Sequence, residues 1–187
     1  MINKEEKDTK KILAESFKEQ LLKRPFEKIT IKMITDGAGV IRPTFYNYYR
    51  DKYEVFEYIL DEELMNVIHA LIDNGMEREA IKMIFTYFHK NGDFYSEAFK
   101  VKGQNSFEEI LLKRITLLFQ RIIKKHNITV EYSCNILSEE NVARYYSIGI
   151  VYILKSWLLE GEFIDVEPDE MFEAYIFLIT HSLSDII

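Results

Sequence analysis

A chain of 187 residues with 48% hydrophobic, 14% aromatic and 29% charged residues holds enough apolar surface to offset the entropy of ordering it, which excludes a disordered linker or a peptide. Three prolines and seven glycines leave little turn chemistry, and the absence of proline between Pro43 and Pro168 points to an all-α chain of one or two domains. The net charge of −7 taken alone argues against nucleic acid as a partner, but it is unevenly spread: residues 1–60 carry 12 Lys/Arg against 10 Asp/Glu, and the remainder 12 against 21.

From Lys4 to Lys23, Ile12, Leu13, Phe17, Gln20 and Leu21 recur at helical spacing among Lys and Glu, which predicts an amphipathic first helix. Pro25 and the stretch Phe26–Ile29 end it. Thr30 then offers a hydroxyl N-cap to a short second helix over Ile31–Ala38. Gly39 is suited to positive φ, and Val40 supplies the apolar peg that a tight inter-helix turn buries, so the next helix meets this one at an angle. That third helix, short and aromatic, is expected over Arg42–Tyr49 with Pro43 in its first turn. Asp51 and Glu54 make a capping-box-like pair opening a long fourth helix through Tyr53, Phe56, Ile59, Leu60 and Leu64. The boundary between a head (residues 1–50) and a body (51–187) is placed at the start of this helix.

Further helices are expected over about 76–90, 93–101, 105–126, 138–160 and 168–185. Asn74-Gly75, Asn91-Gly92, Gly103, a polar loop at 126–135 and Gly161 to Pro168 separate them. Phe107, Ile110, Leu111, Ile115, Leu118, Ile122 and Ile123 form one apolar stripe. Ile148–Leu154 and Ala174–Ile179 are instead apolar around nearly the whole circumference, which requires a second packing surface. A homodimer interface of Ile150, Ile153, Leu154, Trp157, Tyr175, Leu178 and Ile179 supplies one. The run Ile148–Leu154 is far short of the roughly 18 apolar residues that span a bilayer, so no membrane partner is expected. Met1 to Lys11 contains no apolar h-region and Cys134 has no partner in the chain, so the expected compartment is a reducing cytoplasm.

The segment from Gly39 to Lys52, GVIRPTFYNYYRDK, carries the chemistry. A helix that reads DNA presents donors to base edges without burying them, and Arg42, Thr44 and Asn47 are such groups, with Arg42 able to pair bidentately with guanine. Tyr46 and Tyr48 carry hydroxyls on rigid rings that reach phosphates, and Lys52 adds charge at the opening of the fourth helix. Over residues 8–60 the sequence resembles the TetR/AcrR family of bacterial transcription regulators, through Thr30, Ala38, Gly39, Val40, Thr44, Phe45, Tyr46, Tyr48, Tyr49 and Lys52. The resemblance implies base contacts from Arg42, Pro43 and Thr44, and backbone contacts from Thr30, Lys32, Tyr46, Tyr48 and Lys52, with Phe45 and Tyr49 in the head's core. Ile41 stands where the family has a small polar cap, and Asp36-Gly37 where it has better helix formers, which implies an uncapped recognition helix and a looser second helix. FYSEAFKVKGQNSFEEIL and GIVYILKSWLLEG resemble a C-terminal domain carried by many Gram-positive members.

Met83, Tyr87, Phe88, Phe94, Tyr95, Phe99, Phe107 and Phe119 are candidates for lining an effector cavity, although such a set is more often plain core. His69, His89, His126 and His181 lack paired metal-ligand spacing, and Cys134 lies beside Glu131 with no cation to activate it, so neither metal nor cofactor is expected. Glu108-Glu109, Glu139-Glu140 and Asp169-Glu170 fall early in helices, where the macrodipole accounts for them. The expected function is a transcription regulator and not an enzyme: a homodimer on a near-palindromic duplex operator, repressing by default, under an unknown effector. The alternative is an activator controlled by a protein partner. A catalytic bundle would need convergent titratable groups that this sequence does not display.

Overall fold

The computed structural model describes residues 4–126, 137–161, 163 and 165–181, and among these every regular element is helical. The expected loop residues 127–135, with Glu131 and Cys134, and the end of the expected last helix, 182–185, lie outside them. Helix α1 (Lys4–Lys23) buries Leu13, Ala14, Phe17 and Leu21 along one stripe. Ile12, expected on that stripe, sits one 100° step beyond its edge and is exposed. Pro25 brings no N–H to continue the ladder, and a 3-10 turn over Phe26–Lys28 drops Phe26 into the core, 6.2 Å from the Phe17 ring and 5.7 Å from Phe56.

Helix α2 (Ile31–Gly37) opens on Thr30, whose hydroxyl accepts from the Met33 amide at 3.2 Å. Gly39 takes φ 69°, the left-handed conformation that the sequence pattern requires, and delivers the chain into α3 (Arg42–Tyr46). This helix is shorter than the expected Arg42–Tyr49. The amides of Tyr48 and Tyr49 both donate to the Phe45 carbonyl, so the ladder closes on one acceptor instead of advancing. Asp51 caps α4 (Lys52–Leu60), accepting from the amides of Tyr53 at 2.8 Å and Glu54 at 3.0 Å. Glu54 does not complete a capping box on Asp51. Its carboxylate takes the Arg50 amide at 2.6 Å together with Arg50 Nε at 3.2 Å, because Arg50 offers a charge as well as an N–H.

The chain stays helical beyond Leu60 through a π segment, Asp61–Met65, into α5 (Asn66–Asp73), making one rod from Lys52 to Asp73. Then come α6 (Glu77–Lys90), α7 (Gly92–Phe99), α8 (Phe107–Lys125), α9 (Glu139–Lys155) with a second π segment at Ser156–Glu160, and α10 (Pro168–Thr180). Ser106 and Ser138 cap α8 and α9, each accepting at 3.3 Å from the amide three residues on. The three acidic pairs occupy first turns, where they face the positive helix ends. Helices α8 and α9 pack along each other, and α10 lies on α6 through Phe85, whose ring is 6.4 Å from Phe172 and 5.9 Å from Tyr175. The core runs without a seam from α1 into the rest of the molecule: Phe56 of α4 is 5.0 Å from Phe17, 6.1 Å from Phe94 and 5.3 Å from Phe107.

Four residues expected at a dimer interface are part of this core. Ile150, Leu154, Trp157 and Tyr175 are at most 5% exposed within a single chain, and Ile153 and Ile179 are half-buried. The outward apolar residues of α9 are Tyr145, Ile148 and Tyr152, at 74%, 51% and 62% exposure, joined on α10 by Phe177 and by Leu178, the latter among the residues expected there. A helix apolar all round has two candidate faces. Contacts with α8 and α10 decide which one turns inward.

Candidate nucleic-acid interface

Helix α3 has an inner and an outer side. Phe45 is fully buried and Tyr49, just beyond the helix, is 1% exposed; their rings lie 5.4 Å apart, and the Tyr49 hydroxyl donates to the Lys10 carbonyl at 2.9 Å. These contacts anchor α3 to α1. Burial, with Tyr58 and Glu54 nearby, pushes the Tyr49 pKa far above the ordinary phenol value, so it stays a donor. On the outer side Arg42, Pro43, Tyr46 and Asn47 are exposed, and Thr44 is half-buried. The Arg42 guanidinium donates to the Tyr46 hydroxyl at 3.2 Å with its carbon 5.8 Å from the ring centre, which limits its rotamers before any ligand arrives. Ile41 precedes the helix without a side-chain cap and is 71% exposed; Pro43 brings no N–H that would need one, and the Thr44 amide donates to the Ile41 carbonyl at 2.9 Å.

The backbone-contact candidates flank this face. Thr30 and Lys32 are exposed at the start of α2, and Tyr48 is half-buried beside Asn47, where both border an open cleft of about 500 Å³ reaching Lys10 and Arg114. Lys52 is the exception to a freely solvated cation. Its ammonium donates to the carbonyls of Phe26 at 2.6 Å and Ile29 at 2.7 Å and lies 4.1 Å from the Phe26 ring centre. Desolvation lowers its pKa. Two of its three N–H groups are thereby used within the protein, leaving one for an anion. Behind α2, the Ser16 hydroxyl donates to the Ile34 carbonyl at 2.8 Å, and a Cβ on Gly37 would run into that hydroxyl. Gly37 is thus where α2 closes on α1, and the short second helix is held by packing where its residue types alone suggest looseness.

In the body, Phe88, Phe94, Tyr95, Phe99 and Phe107 come together with ring separations from 4.3 Å (Phe88–Tyr95) to 6.5 Å (Phe88–Phe99), and Tyr87 joins at 5.6 Å from Tyr95. Phe119 lies apart, 5.9 Å from Tyr146 between α8 and α9, and Met83 is half-buried on α6. Among the described residues no group of three His, Cys, Asp or Glu converges, and no helix is long and apolar enough to cross a membrane.

A short helix with a polar outer face, held by a tight glycine turn against two supporting helices, defines a helix-turn-helix DNA-binding regulator. The model of bacterial regulatory proteins of the tetR family matches residues 17–59, and that of a transcriptional regulator C-terminal region matches residues 77–181. The chain belongs to the TetR family of transcription regulators. It is similar to the HTH-type dhaKLM operon transcriptional activator DhaS of Lactococcus lactis subsp. lactis (strain IL1403), 23% identical over 157 residues that make up 84% of this chain and 83% of the relative. A solved dihydroxyacetone kinase operon activator DhaS superposes with a TM-score of 0.66 at 22% identity, covering 92% of this chain and 94% of that one. The Thermus thermophilus repressor FadR, solved with lauroyl-CoA, superposes with a TM-score of 0.62 at 17% identity over 93% and 94% of the two chains.

Proposed function

We propose that two copies of this chain bind a near-palindromic operator through α3, with residues 1–50 as the head and residues 51–187 pairing the copies and receiving a signal that sets transcription, repression being the default. The observation that carries the reading is the outer side of α3, formed by Arg42, Pro43 and the half-buried Thr44 with Asn47 just past its end, on a helix whose other side is locked by Phe45 and Tyr49. Base contacts come from Arg42, Pro43 and Thr44. Phosphate contacts come from Thr30, Lys32, Tyr46, Tyr48 and the remaining N–H of Lys52. Two recognition helices related by a dyad enter successive major grooves about 34–36 Å apart.

The close packing of the aromatic cluster, with Phe88 and Tyr95 4.3 Å apart, supports a second reading, in which the chain is an activator and the signal is a protein partner rather than a small molecule in the body's centre. The similarity to an operon activator supports the same reading. Fluorescence anisotropy over a salt series, using the duplex upstream of the chain's own gene and a scrambled duplex, tests the DNA reading. Arg42→Ala is expected to cost about 1–3 kcal/mol on the specific duplex and little on the scrambled one. Equal losses on both would remove Arg42 from base reading.

A further inference from the structure

We propose that Glu63 is a positioning residue that ties the setting of the DNA-reading head to the packing of the body, each carboxylate oxygen holding a side chain from one of them. Oε1 is taken by the ammonium of Lys18 on α1. Oε2 accepts from the hydroxyl of Tyr87 on α6 at 2.8 Å, and the Tyr87 oxygen lies another 2.8 Å from the hydroxyl of Tyr95 on α7. A phenol has one proton to donate. Tyr87 gives its proton to the carboxylate, so its bond to Tyr95 uses the proton of Tyr95, and the order Tyr95 to Tyr87 to Glu63 is fixed. Burial pushes both phenols far above their ordinary pKa, which keeps both protons in place. Tyr95 is fully buried against Phe88 at 4.3 Å, Phe94 at 4.9 Å and Phe107 at 5.3 Å, so a rearrangement of this aromatic packing moves its hydroxyl and shortens or breaks the chain to Glu63.

The position of Glu63 in the rod makes this connection mechanical. Asp61, Glu62 and Glu63 are consecutive residues of the first π segment, and each is paired: Asp61 with Arg114 of α8 at 2.8 Å, Glu62 with Lys7 at 3.1 Å, and Glu63 with Lys18. Lys7 and Lys18 are eleven residues apart, three turns of α1, and therefore share a face. The π segment, a device common at functional sites, thus grips α1 at two heights and α8 at one. Lys18 is also reachable from outside. It borders an open cleft of about 430 Å³ with Leu22, His89 and Phe94, and its ammonium lies 5.9 Å from the Phe94 ring centre. A molecule lodged there competes with Glu63 for the same cation.

This inference rests on the DNA-binding reading, so the test uses two independent readouts on the full chain: amide hydrogen exchange, and anisotropy on the upstream duplex. Tyr87→Phe removes the donor while keeping the ring; Lys18→Met removes the cation and Lys18→Arg restores it. Tyr87→Phe and Lys18→Met are each expected to speed exchange around Lys18 and in the π segment about fivefold or more, and to shift duplex affinity about threefold or more. Exchange in α10 stays put. The double variant changes affinity less than the product of the two, because both act through one carboxylate. Lys18→Arg stays within about twofold of wild type. Unchanged exchange in α1 for Tyr87→Phe overturns the proposal, and so does altered exchange with unaltered affinity, which reduces Glu63 to a structural contact. A wild-type chain that binds no duplex at low salt overturns the DNA-binding reading instead, and exchange alone then decides whether Glu63 couples the two halves.

Discussion

At position 37 the composition of the second helix misleads, because glycine is a poor helix former and Asp36-Gly37 implies looseness. The missing Cβ is what lets Ser16 reach the Ile34 carbonyl, a close approach that no one-dimensional pattern encodes. Gly37→Ala gains helix propensity but drives a methyl into a buried hydroxyl, and overpacking is the larger effect; a loss of about 1–3 kcal/mol in urea melts is expected. Gly37→Ala more stable than wild type would contradict that packing. Lys52 shows the same limit differently. Its charge and its place at the start of the fourth helix were legible, whereas its two bonds to the carbonyls of Phe26 and Ile29 depend on where the 3-10 turn lands. Lys52→Met therefore has two expected effects: all duplexes bound more weakly to a similar degree, and a stability loss of about 1–3 kcal/mol from the lost bond to the buried Ile29 carbonyl, while the Phe26 carbonyl keeps the Ile29 amide at 3.1 Å. Chemical denaturation without DNA separates the second from the first.

Helix ends were the most legible feature of the elements, since Thr30, Pro25, Gly39 and Asp51 act on their nearest neighbours in the chain. The serine caps of α8 and α9 carried the same signal, a hydroxyl residue placed before acidic first-turn residues, and were open to the same reading. The two π segments had no such signal, because an extra residue in a helical turn is set by what the flanking turns pack against. Pairing between elements was equally hidden. Arg114 joins α8 to Glu57 and Asp61, Arg121 joins it to Asp73, and Lys125 joins it to Glu77 and to the Ile72 carbonyl at the end of α5. At Glu77 the Lys125 ammonium at 2.8 Å, the residue's own first-turn amide and His126 Nε2 at 3.1 Å hold the carboxyl down to about 2, from an ordinary value of 4.5. A depressed carboxyl stabilises the fold above its unfolded pKa and loses that contribution as the pH falls through its folded pKa. The stability difference between wild type and Glu77→Gln is expected to be constant near neutrality and to close between pH 4.5 and about 2. Urea melts at stepped pH measure it, and a gap that persists unchanged below pH 3 would detach Glu77 from the junction.

For the whole molecule, the apolar circumference of α9 and α10 calls for a second surface; of the seven residues expected to form it, Ile150, Leu154, Trp157 and Tyr175 lie in the single chain's own core, whereas Leu178 is exposed. Ile150, Leu154, Trp157 and Tyr175 are the more apolar choice by residue type, and for that reason the chain's own core claims them. What remains outside is amphipathic: Tyr145, Ile148 and Tyr152 on α9 with Phe177 and Leu178 on α10. We propose this face as the surface on which two chains pair, since tyrosine covers apolar area while its hydroxyl tolerates water. The body carries the acidic excess, 21 Asp/Glu against 12 Lys/Arg beyond residue 60, so apolar and aromatic contact has to outweigh repulsion between two like-charged bodies. A charge placed centrally in that contact is the most direct test. Ile148→Asp, on an exposed position where folding has little to lose, is expected to leave the melting of the single chain nearly unchanged and to turn a dimer into a monomer by sedimentation equilibrium. Operator affinity then falls by about 10²–10⁴-fold, because the second head is no longer delivered at high effective concentration. Tyr145→Asp, nearer one end of the stripe, acts in the same direction. An Ile148→Asp chain that remains dimeric moves the pairing surface off the α9 face, and one that is monomeric but keeps full operator affinity removes the need for two heads on one duplex.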